Sequence, residues 1–281
     1  MKAFGKICLG VGLISFGLGL CLLIIAGVSG FTLRKEATNT FAQGYEQEIS
    51  SLDFEIDYGH VKFLLGDEFS VDAEGLFEDG SFESVVKNGV WTIRNVNSDR
   101  VNVFGWRVPV ITIFGDRYEP DIVITIPKDF VAEDIKLNLG AARMEADRLR
   151  SNTGSFKLGA GEANIEQLEV TKRSSFEVGA GSMRLDRVDI RNITVDCGVG
   201  YISLEGRITG ENEITCGVGE VRMALEGDLE AYSYDIQSGI GNVTVNGKKF
   251  FGSVDRNARK EALGSFEMEN GIGNITLDIY E

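Results

Sequence analysis

Seven copies of a short glycine-centred motif occupy the second half of this 281-residue chain. Their first aligned glycines are 19, 20, 19, 19, 22 and 32 residues apart, at Gly140, Gly159, Gly179, Gly198, Gly217, Gly239 and Gly271. The copies read KLNLGAARMEA, SFKLGAGEANI, SFEVGAGSMRL, TVDCGVGYISL, EITCGVGEVRM, YDIQSGIGNVTV and FEMENGIGNITL. A nearly constant period predicts one structural unit per copy. Units this short bury a core only by stacking on one another.

Apolar and polar residues alternate on both sides of each glycine, which is typical of a strand with one face in a core. In the second copy the apolar set falls on even positions before the glycine (Phe156, Leu158) and on odd positions after it (Ala163, Ile165). This change of parity requires a bulge or bend, which glycine permits. The residue after the first glycine is apolar in every copy, and we expect it to fill the core: Ala141, Ala160, Ala180, Val199, Val218, Ile240 and Ile272.

These patterns predict an all-β protein, a single-chain right-handed β-helix (β-solenoid) with one coil of about 19–20 residues per repeat. A β-sandwich of antiparallel hairpins is the alternative, and it explains the alternation but not the identical glycine corners. We predict the solenoid over residues 50–281, with regular repeats over 135–281 and degenerate coils over 50–130. An insertion over 246–265 lengthens the last coil.

The N-terminus has a different composition, because residues 7–33 carry no charge. Basic residues lie on both sides of this segment: Lys2, Lys6, Arg34 and Lys35. At about 1.5 Å per residue, a helix of this length crosses a hydrocarbon core of about 30 Å. We therefore predict an uncleaved signal-anchor with one transmembrane helix over 1–35, a polar stalk over 36–49, and a C-terminal domain outside the cytoplasm. A cleaved signal peptide is the alternative, although its apolar region is usually shorter.

A charge-free N-terminal segment, an ITIPKDF strand and G-x-G-x-[IV]-x-[LIV] repeats together resemble the bacterial DUF4097 family over about residues 50–281. The resemblance implies a β-helical envelope protein without established enzymatic activity, often described as a candidate adhesin. Some members of that family are associated with envelope stress responses. The shared motif is structural, so the resemblance implies no functional residues.

Charge and histidine content limit the chemistry that the chain can perform. The net charge of −15 argues against a nucleic-acid partner, which needs a positive footprint. His60 is the only histidine, so multi-histidine zinc sites are excluded. The position three residues after each first glycine is mixed in charge and lacks aspartate, which argues against repeated Ca²⁺ sites. We predict no catalytic residues, no metal and no cofactor.

Two cysteines occupy the same position in consecutive copies, Cys197 and Cys216. Stacked coils would bring them close enough for a disulfide, which would persist outside the cytoplasm. The alternative is that both are small apolar residues of the core. The sequence leaves this choice open.

Two outward-facing sites deserve comparison. Glu177 and Asp196 would be neighbours on adjacent coils, and a carbohydrate-active enzyme would need such a carboxylate pair, although a solvated acidic face is the simpler interpretation.

The insertion is the one locally basic, aromatic segment of an acidic chain. Its candidate partner-binding residues are Lys248, Lys249, Phe250, Phe251, Arg256, Arg259 and Lys260. Anionic wall polymers and lipid headgroups are plausible partners for it, and a flap over the end of the core is the alternative.

We therefore predict a non-enzymatic, membrane-anchored envelope protein that acts as an adhesin or surface scaffold. Its partners would be the membrane, through the N-terminal helix, and a cell-wall or surface polymer or an envelope membrane protein. A regulatory component of an envelope stress response that binds a membrane partner is the first alternative. A carbohydrate-active enzyme is the less favoured one.

Overall fold

The computed structural model describes residues 37–77, 81–96, 100–103, 106–109 and 119–281. These residues all belong to one compact unit. The predicted transmembrane helix over 1–35 lies outside the described residues. Within the described ranges, no helix is long and apolar enough to cross a bilayer.

Strands account for nearly all of the described chain. The first eight are β1 (Ala37–Tyr45), β2 (Ser51–Gly66), β3 (Phe69–Phe77), β4 (Phe82–Lys87), β5 (Val90–Asn95), β6 (Arg100–Val103), β7 (Trp106–Pro109) and β8 (Asp121–Pro127). The others are β9 (Ala132–Ala146), β10 (Leu149–Ile165), β11 (Leu168–Arg191), β12 (Ile193–Glu226), β13 (Tyr232–Val245), β14 (Lys248–Arg256) and β15 (Gly264–Tyr280). A single 3₁₀ turn, Leu229–Ala231, is the only helical element of the described residues. The all-β prediction is confirmed.

Thirteen of these strands form one open sheet, and β6 and β7 form a separate antiparallel pair. Parallel, in-register pairing joins β9, β10, β11 and β12 in chain order. Phe156 lies beside both Leu137 and Phe176, so equivalent residues of successive repeats stack in columns. The 34-residue strand β12 runs through two coils without a break. The predicted β-solenoid is therefore present over the regular repeats.

The last two repeats are not stacked in chain order, contrary to our expectation that successive copies stack. The final strand β15 pairs on one side with β12 and on the other side with β13. Met268 thus lies between Ile214 of the fifth repeat and Ile236 of the sixth. The insertion makes this order possible. Its extra residues let the chain leave the sixth coil and return, so that β15 lies between the fifth coil and the sixth.

The N-terminal end of the sheet mixes one true coil with antiparallel strands. β2 pairs with β9 from Ser51 to Phe63, so it is a further coil of the solenoid. In contrast, β1 pairs with β3, β3 with β8, and β4 with β5, all in antiparallel fashion. The segment expected as a polar stalk over 36–49 contributes β1, so part of it belongs to the sheet.

Aromatic side chains fill the core at the N-terminal end. The Trp91 ring lies 4.9 Å from that of Tyr45 and 5.3 Å from that of Phe54, measured between ring centroids. The Ser84 hydroxyl oxygen accepts hydrogen bonds from the Tyr45 hydroxyl, at 2.6 Å, and from Trp91 Nε1, at 3.0 Å. The polar atoms of these large rings therefore have partners inside the core, as buried tyrosine and tryptophan require.

Candidate binding surface

Each corner of the solenoid carries glycines that stack on the corner of the neighbouring coil. A Cβ atom on Gly179 would lie 2.5 Å from the carbonyl oxygen of Gly159. At the second glycine of a corner, a Cβ on Gly219 would lie only 1.8 Å from the carbonyl oxygen of Gly200. Gly219 also has φ +150°, which L-residues with side chains rarely adopt. The motif therefore contains glycine because the backbones of adjacent coils lie too close at the corner to leave room for a Cβ atom.

The apolar residues at these corners face solvent, so our expectation that they fill the core is wrong. Val199, Val218, Ile240 and Ile272 are 55%, 43%, 69% and 49% exposed. The reason is the length of the bend: in one coil, Val178 and Met183 are buried and the four residues between them face away from the core. The middle of the corner therefore points outward even though the alternation resumes correctly on each side.

Stacking aligns these residues into one row along the sheet, which we call the corner ridge. Its members, in spatial order, are Ala141, Ala160, Ala180, Val199, Val218, Ile272 and Ile240. Neighbours in a row of this kind are about 4.8 Å apart. Side-chain size increases along the row, from alanine at the β9 end to isoleucine at the β13 end.

Polar residues flank the corner ridge, and their charge changes along it. In the column two residues before the first glycine, Lys157 Nζ forms an ion pair of 2.6 Å with Glu177, and Glu177 pairs in register with Asp196. The two carboxylates weighed as an enzymatic pair are therefore neighbours, but one of them is already engaged by a lysine. On the opposite flank of the ridge, uncharged Asn274 and Asn242 lie beside each other near the β13 end.

The structure divides the seven basic and aromatic residues of the insertion into two groups. The second group is occupied by the chain itself: Lys260 pairs with Asp228, and the Arg259 side chain lies 3.9 Å from Glu230. Hydrogen bonding to Asp228 raises the pKa of Lys260. Arg256 is only partly exposed, near the start of this loop. The loop after β14 thus folds back on the 3₁₀ turn.

The first group lies on β14, the strand at the C-terminal end of the sheet, and projects from it. Phe251 is 88% exposed, and its neighbour Phe250 packs against the core. Lys248 Nζ lies 5.2 Å from the centroid of the Phe250 ring. Neither Lys248 nor Lys249 forms an ion pair with any described residue. We call Ile240, Ile272, Phe251, Lys248 and Lys249 the tip patch. Phe251 and Lys249 share one face of β14, and Lys248 lies on the other face of this edge strand, next to the turn.

A tight turn sets the position of this group. Asn246 and Gly247 join β13 to β14 with φ values of +45° and +75°. Positive φ at both central residues is the geometry of a two-residue hairpin, for which Asn-Gly is the preferred sequence. The hairpin places Phe251 beside Asn242 and Lys249 beside Thr244.

The family model described as Toastrack DUF4097 matches residues 87–277. The chain belongs to this family. The resemblance noted from the sequence is therefore confirmed. The coils that build the corner ridge all lie within the matched Toastrack region.

Several solved structures are similar to this Toastrack chain at low identity. A candidate cell adhesion protein from Clostridium sporogenes is 13% identical, with a TM-score of 0.33, over 86% of this chain and 99% of that one. A candidate adhesin from Bacteroides fragilis is 12% identical, with a TM-score of 0.38, over 85% and 96%. A candidate lipid binding protein from Parabacteroides distasonis is 11% identical, with a TM-score of 0.27, over 88% and 98%. No curated protein matches the sequence significantly.

A row of carboxylates on the Toastrack domain was missed by sequence reasoning. Glu213, Glu267, Asp235 and Asp255 follow one another across four adjacent strands, beside a groove of about 1070 Å³. Glu213, Asp235 and Glu267 each lie four residues before the first glycine of their copy, so aligning the last three copies could have found them. Asp255 lies on β14, outside the repeat, and its place in the row depends on the hairpin. Among the described residues, no group of three or more His, Cys, Asp or Glu side chains is arranged to hold a metal ion.

The two core cysteines of this Toastrack protein lie in adjacent coils. Cys197 and Cys216 are 5% and 1% exposed, and both are free thiols in contact with each other. The hydrogen bond with Cys216, followed by burial, raises the pKa of the Cys197 thiol. The same hydrogen bond lowers the pKa of the Cys216 thiol, so burial, and not protonation of both thiols, is what the two cysteines share.

We expect Cys197 and Cys216 to resist maleimide in the folded protein at mildly alkaline pH, because both side chains are buried and the reagent must reach the sulfur atom. Both should react once the protein is unfolded in denaturant. A variant with Cys8 and Cys21 replaced by serine restricts the signal to this pair, and mass spectrometry counts the labels. Rapid labelling of the folded variant would contradict this expectation. A linked peptide on non-reducing mapping would show a disulfide instead.

Proposed function

We propose that this protein is a non-enzymatic binding scaffold of the cell envelope that uses the outer surface of its coils for adhesion. The observation that carries the proposal is the corner ridge. Four large apolar residues, Val199, Val218, Ile272 and Ile240, are 43–69% exposed and aligned in register. Contiguous apolar surface on a soluble domain marks an interaction site more often than scattered apolar residues do.

The form of the ridge favours an extended partner over a small molecule. A ligand pocket is concave and encloses its ligand, whereas the ridge is a convex row with a regular repeat of about 4.8 Å. A polymer or a polypeptide strand can contact many members of such a row at once. We therefore propose a wall or surface polymer, or an envelope protein, as the partner, with residues 7–33 holding the chain at the membrane.

The outward carboxylates support a scaffold more than an enzyme. Glu177 is half exposed and paired with Lys157 at 2.6 Å, which is typical of a solvated ion pair. A glycosidase acid would instead need an environment that raises its pKa, such as an apolar pocket. The E177Q and D196N variants should bind polymer like the wild-type chain if the ridge carries the function.

We expect the triple variant V199S/V218S/I272S to bind envelope polymer about tenfold more weakly than the wild-type chain. Each substitution removes exposed apolar surface, and a loss of about 1.4 kcal/mol in total gives this factor. The free energy of unfolding should change by less than about 0.5 kcal/mol per substitution, since these are surface positions. Co-sedimentation of the full chain with purified wall polymer measures the binding.

Val131→Ser is the matched control, because Val131 is 49% exposed but lies off the ridge. Equal binding by the triple variant and the wild-type chain would refute the adhesive function. Crosslinking in intact membranes tests the regulatory alternative. Recovery of one membrane protein that depends on residues 7–33, and not on the ridge, would favour a stress-response component.

A further inference from the structure

We propose that the tip patch docks onto an anionic lipid surface. This inference rests on the proposed binding function and names the partner of one end of the corner ridge. The patch consists of Ile240, Ile272 and Phe251 with Lys248 and Lys249.

The apolar part of the patch is the most exposed apolar surface of the corner ridge and its edge strand. Ile240 is 69% exposed and Phe251 is 88% exposed, whereas Val218, further along the ridge, is 43% exposed. Phenylalanine and isoleucine projecting from a folded domain are suited to burial at the boundary between lipid headgroups and acyl chains. Ile240 on β13 is held by pairing to β15, and Phe251 on β14 is held by pairing to β13, so both side chains are presented on a fixed sheet.

The charged part of the patch selects an anionic surface. Lys248 and Lys249 have no ion-pair partner among the described residues, although the chain carries a net charge of −15. By contrast, Lys260 and Arg259 in the same insertion are paired with Asp228 and Glu230. Each lysine near an anionic leaflet strengthens binding about fivefold.

The flanks of the patch are compatible with contact at a negatively charged surface. Beside the apolar row on β13 and β15 lie uncharged side chains: Asn242, Thr244, Asn274 and Thr276. Three carboxylates lie nearby: Asp278 two residues beyond Thr276, Glu220 beside Asn274 on the fifth coil, and Glu269 in the column before the corner of β15. The row of carboxylates that includes Asp235 lies two residues earlier, beside the groove, so the acidic surface and the tip patch are separate.

The patch lies at one end of the sheet, and β1 lies at the other. Eleven strand spacings of about 4.8 Å separate β14 from β1 along the sheet order, counting β12 as two coils, which amounts to roughly 50 Å. β1 follows directly after the predicted membrane anchor. An experiment should therefore present the lipid surface in a second bilayer, separate from the one that holds the N-terminal segment.

The test places the full chain in nanodiscs of neutral phosphatidylcholine, which accommodates a membrane-spanning segment, and adds vesicles. We expect binding to vesicles with one third phosphatidylglycerol to be at least tenfold tighter than to vesicles of phosphatidylcholine alone. K248E/K249E should weaken anionic-vesicle binding at least about 25-fold, because each lysine contributes about fivefold, and I240S/F251S should weaken it about tenfold. Flotation measures the bound fraction, and circular dichroism checks that each variant is folded.

Matched controls separate the patch from general changes of charge and surface. K87E/K172E makes the same change of net charge at two exposed lysines elsewhere, and V131S removes an exposed valine off the ridge. Both controls should bind vesicles like the wild-type chain. Equal binding to neutral and anionic vesicles, or variants that bind like the wild-type chain, would overturn the proposal.

Two further outcomes distinguish this inference from the proposed function. Pairing of loaded nanodiscs without vesicles, lost in I240S/F251S, would overturn lipid docking in favour of a second copy of the chain. If V199S/V218S, which leaves the tip patch intact, loses polymer binding while the tip variants bind vesicles normally, the adhesive function stands and lipid docking fails. The reverse result would retain lipid docking and remove polymer adhesion.

Discussion

Gly219→Ala is expected to destabilise the folded protein by about 3 kcal/mol. The new Cβ atom would lie 1.8 Å from the carbonyl oxygen of Gly200, so the backbone of one coil must shift. Forcing extra volume into a tight contact costs about 1–3 kcal/mol, and holding alanine at φ +150° costs a similar amount. Urea unfolding followed by circular dichroism gives the difference in free energy.

Gly44→Ala is the matched control for that measurement. The nearest atom to a Cβ at Gly44 is a backbone oxygen at 3.9 Å, and its φ lies outside the strained range. We expect a change of less than about 0.5 kcal/mol, as for most surface substitutions. Similar destabilisation by both substitutions would mean that the effect at Gly219 comes from replacing glycine as such, and not from the contact between coils.

Removal of residues 264–281 should disrupt two coils, not one. β15 pairs with β12 and with β13, so its loss leaves β13 and β14 without their connection to the sheet. We expect residues 228–263 to become sensitive to protease while 37–226 stays protected, and the midpoint of thermal unfolding to fall by at least about 10 °C. Limited proteolysis with mass spectrometry identifies the cleaved region.

A point variant tests the same strand without a truncation. Leu277 is fully buried, so Leu277→Asp places a charge in the core and should cost several kcal/mol. Asn274→Asp adds the same charge at an exposed position of β15 and should leave the free energy of unfolding nearly unchanged.

One outcome of the truncation would contradict the described sheet order. If the truncated protein loses only the last repeat and keeps 228–263 protected, the repeats are stacked in chain order.

The coil architecture was predictable because its signals are local. Alternation around Gly159 and Gly179 identifies both strands of a coil, and the fixed period identifies the stacking partner. The in-register pairs Phe156–Phe176 and Leu158–Val178 follow directly from aligning two copies. Each of these inferences needs only a segment and its nearest repeat.

The order of the last two coils was not predictable, because the repeat motif does not specify which copy pairs with which. The copies around Gly239 and Gly271 have nearly the same motif, so either can stack on the fifth coil. The choice depends on how the insertion packs, including the hydrogen bonds that Arg259 and Lys260 donate from their backbones to Glu230. Such contacts join segments about thirty residues apart and leave no periodic signal.

The corner ridge was misassigned for a different reason. An apolar residue between two buried strands suggests burial, but four residues separate Val178 from Met183 and all of them lie outside the core. The two-residue alternation of a strand does not continue through a bend, so it cannot predict whether the residue between the two glycines is buried. The seven residues of the insertion were likewise treated as one site, because their sequence gives no sign that Asp228 and Glu230 neutralise two of them.

The central position of β15 also constrains how the protein is made. Strands up to β12 can pair with neighbours that precede them in the chain, so these coils can form while the ribosome is still adding residues. The sixth coil and its hairpin must wait, because β15, the strand that joins them to the rest, is synthesised after both of them. Until β15 has been synthesised, the edge of the fifth coil that β15 will cover is open, and a chaperone or a neighbouring nascent chain has access to it during that interval.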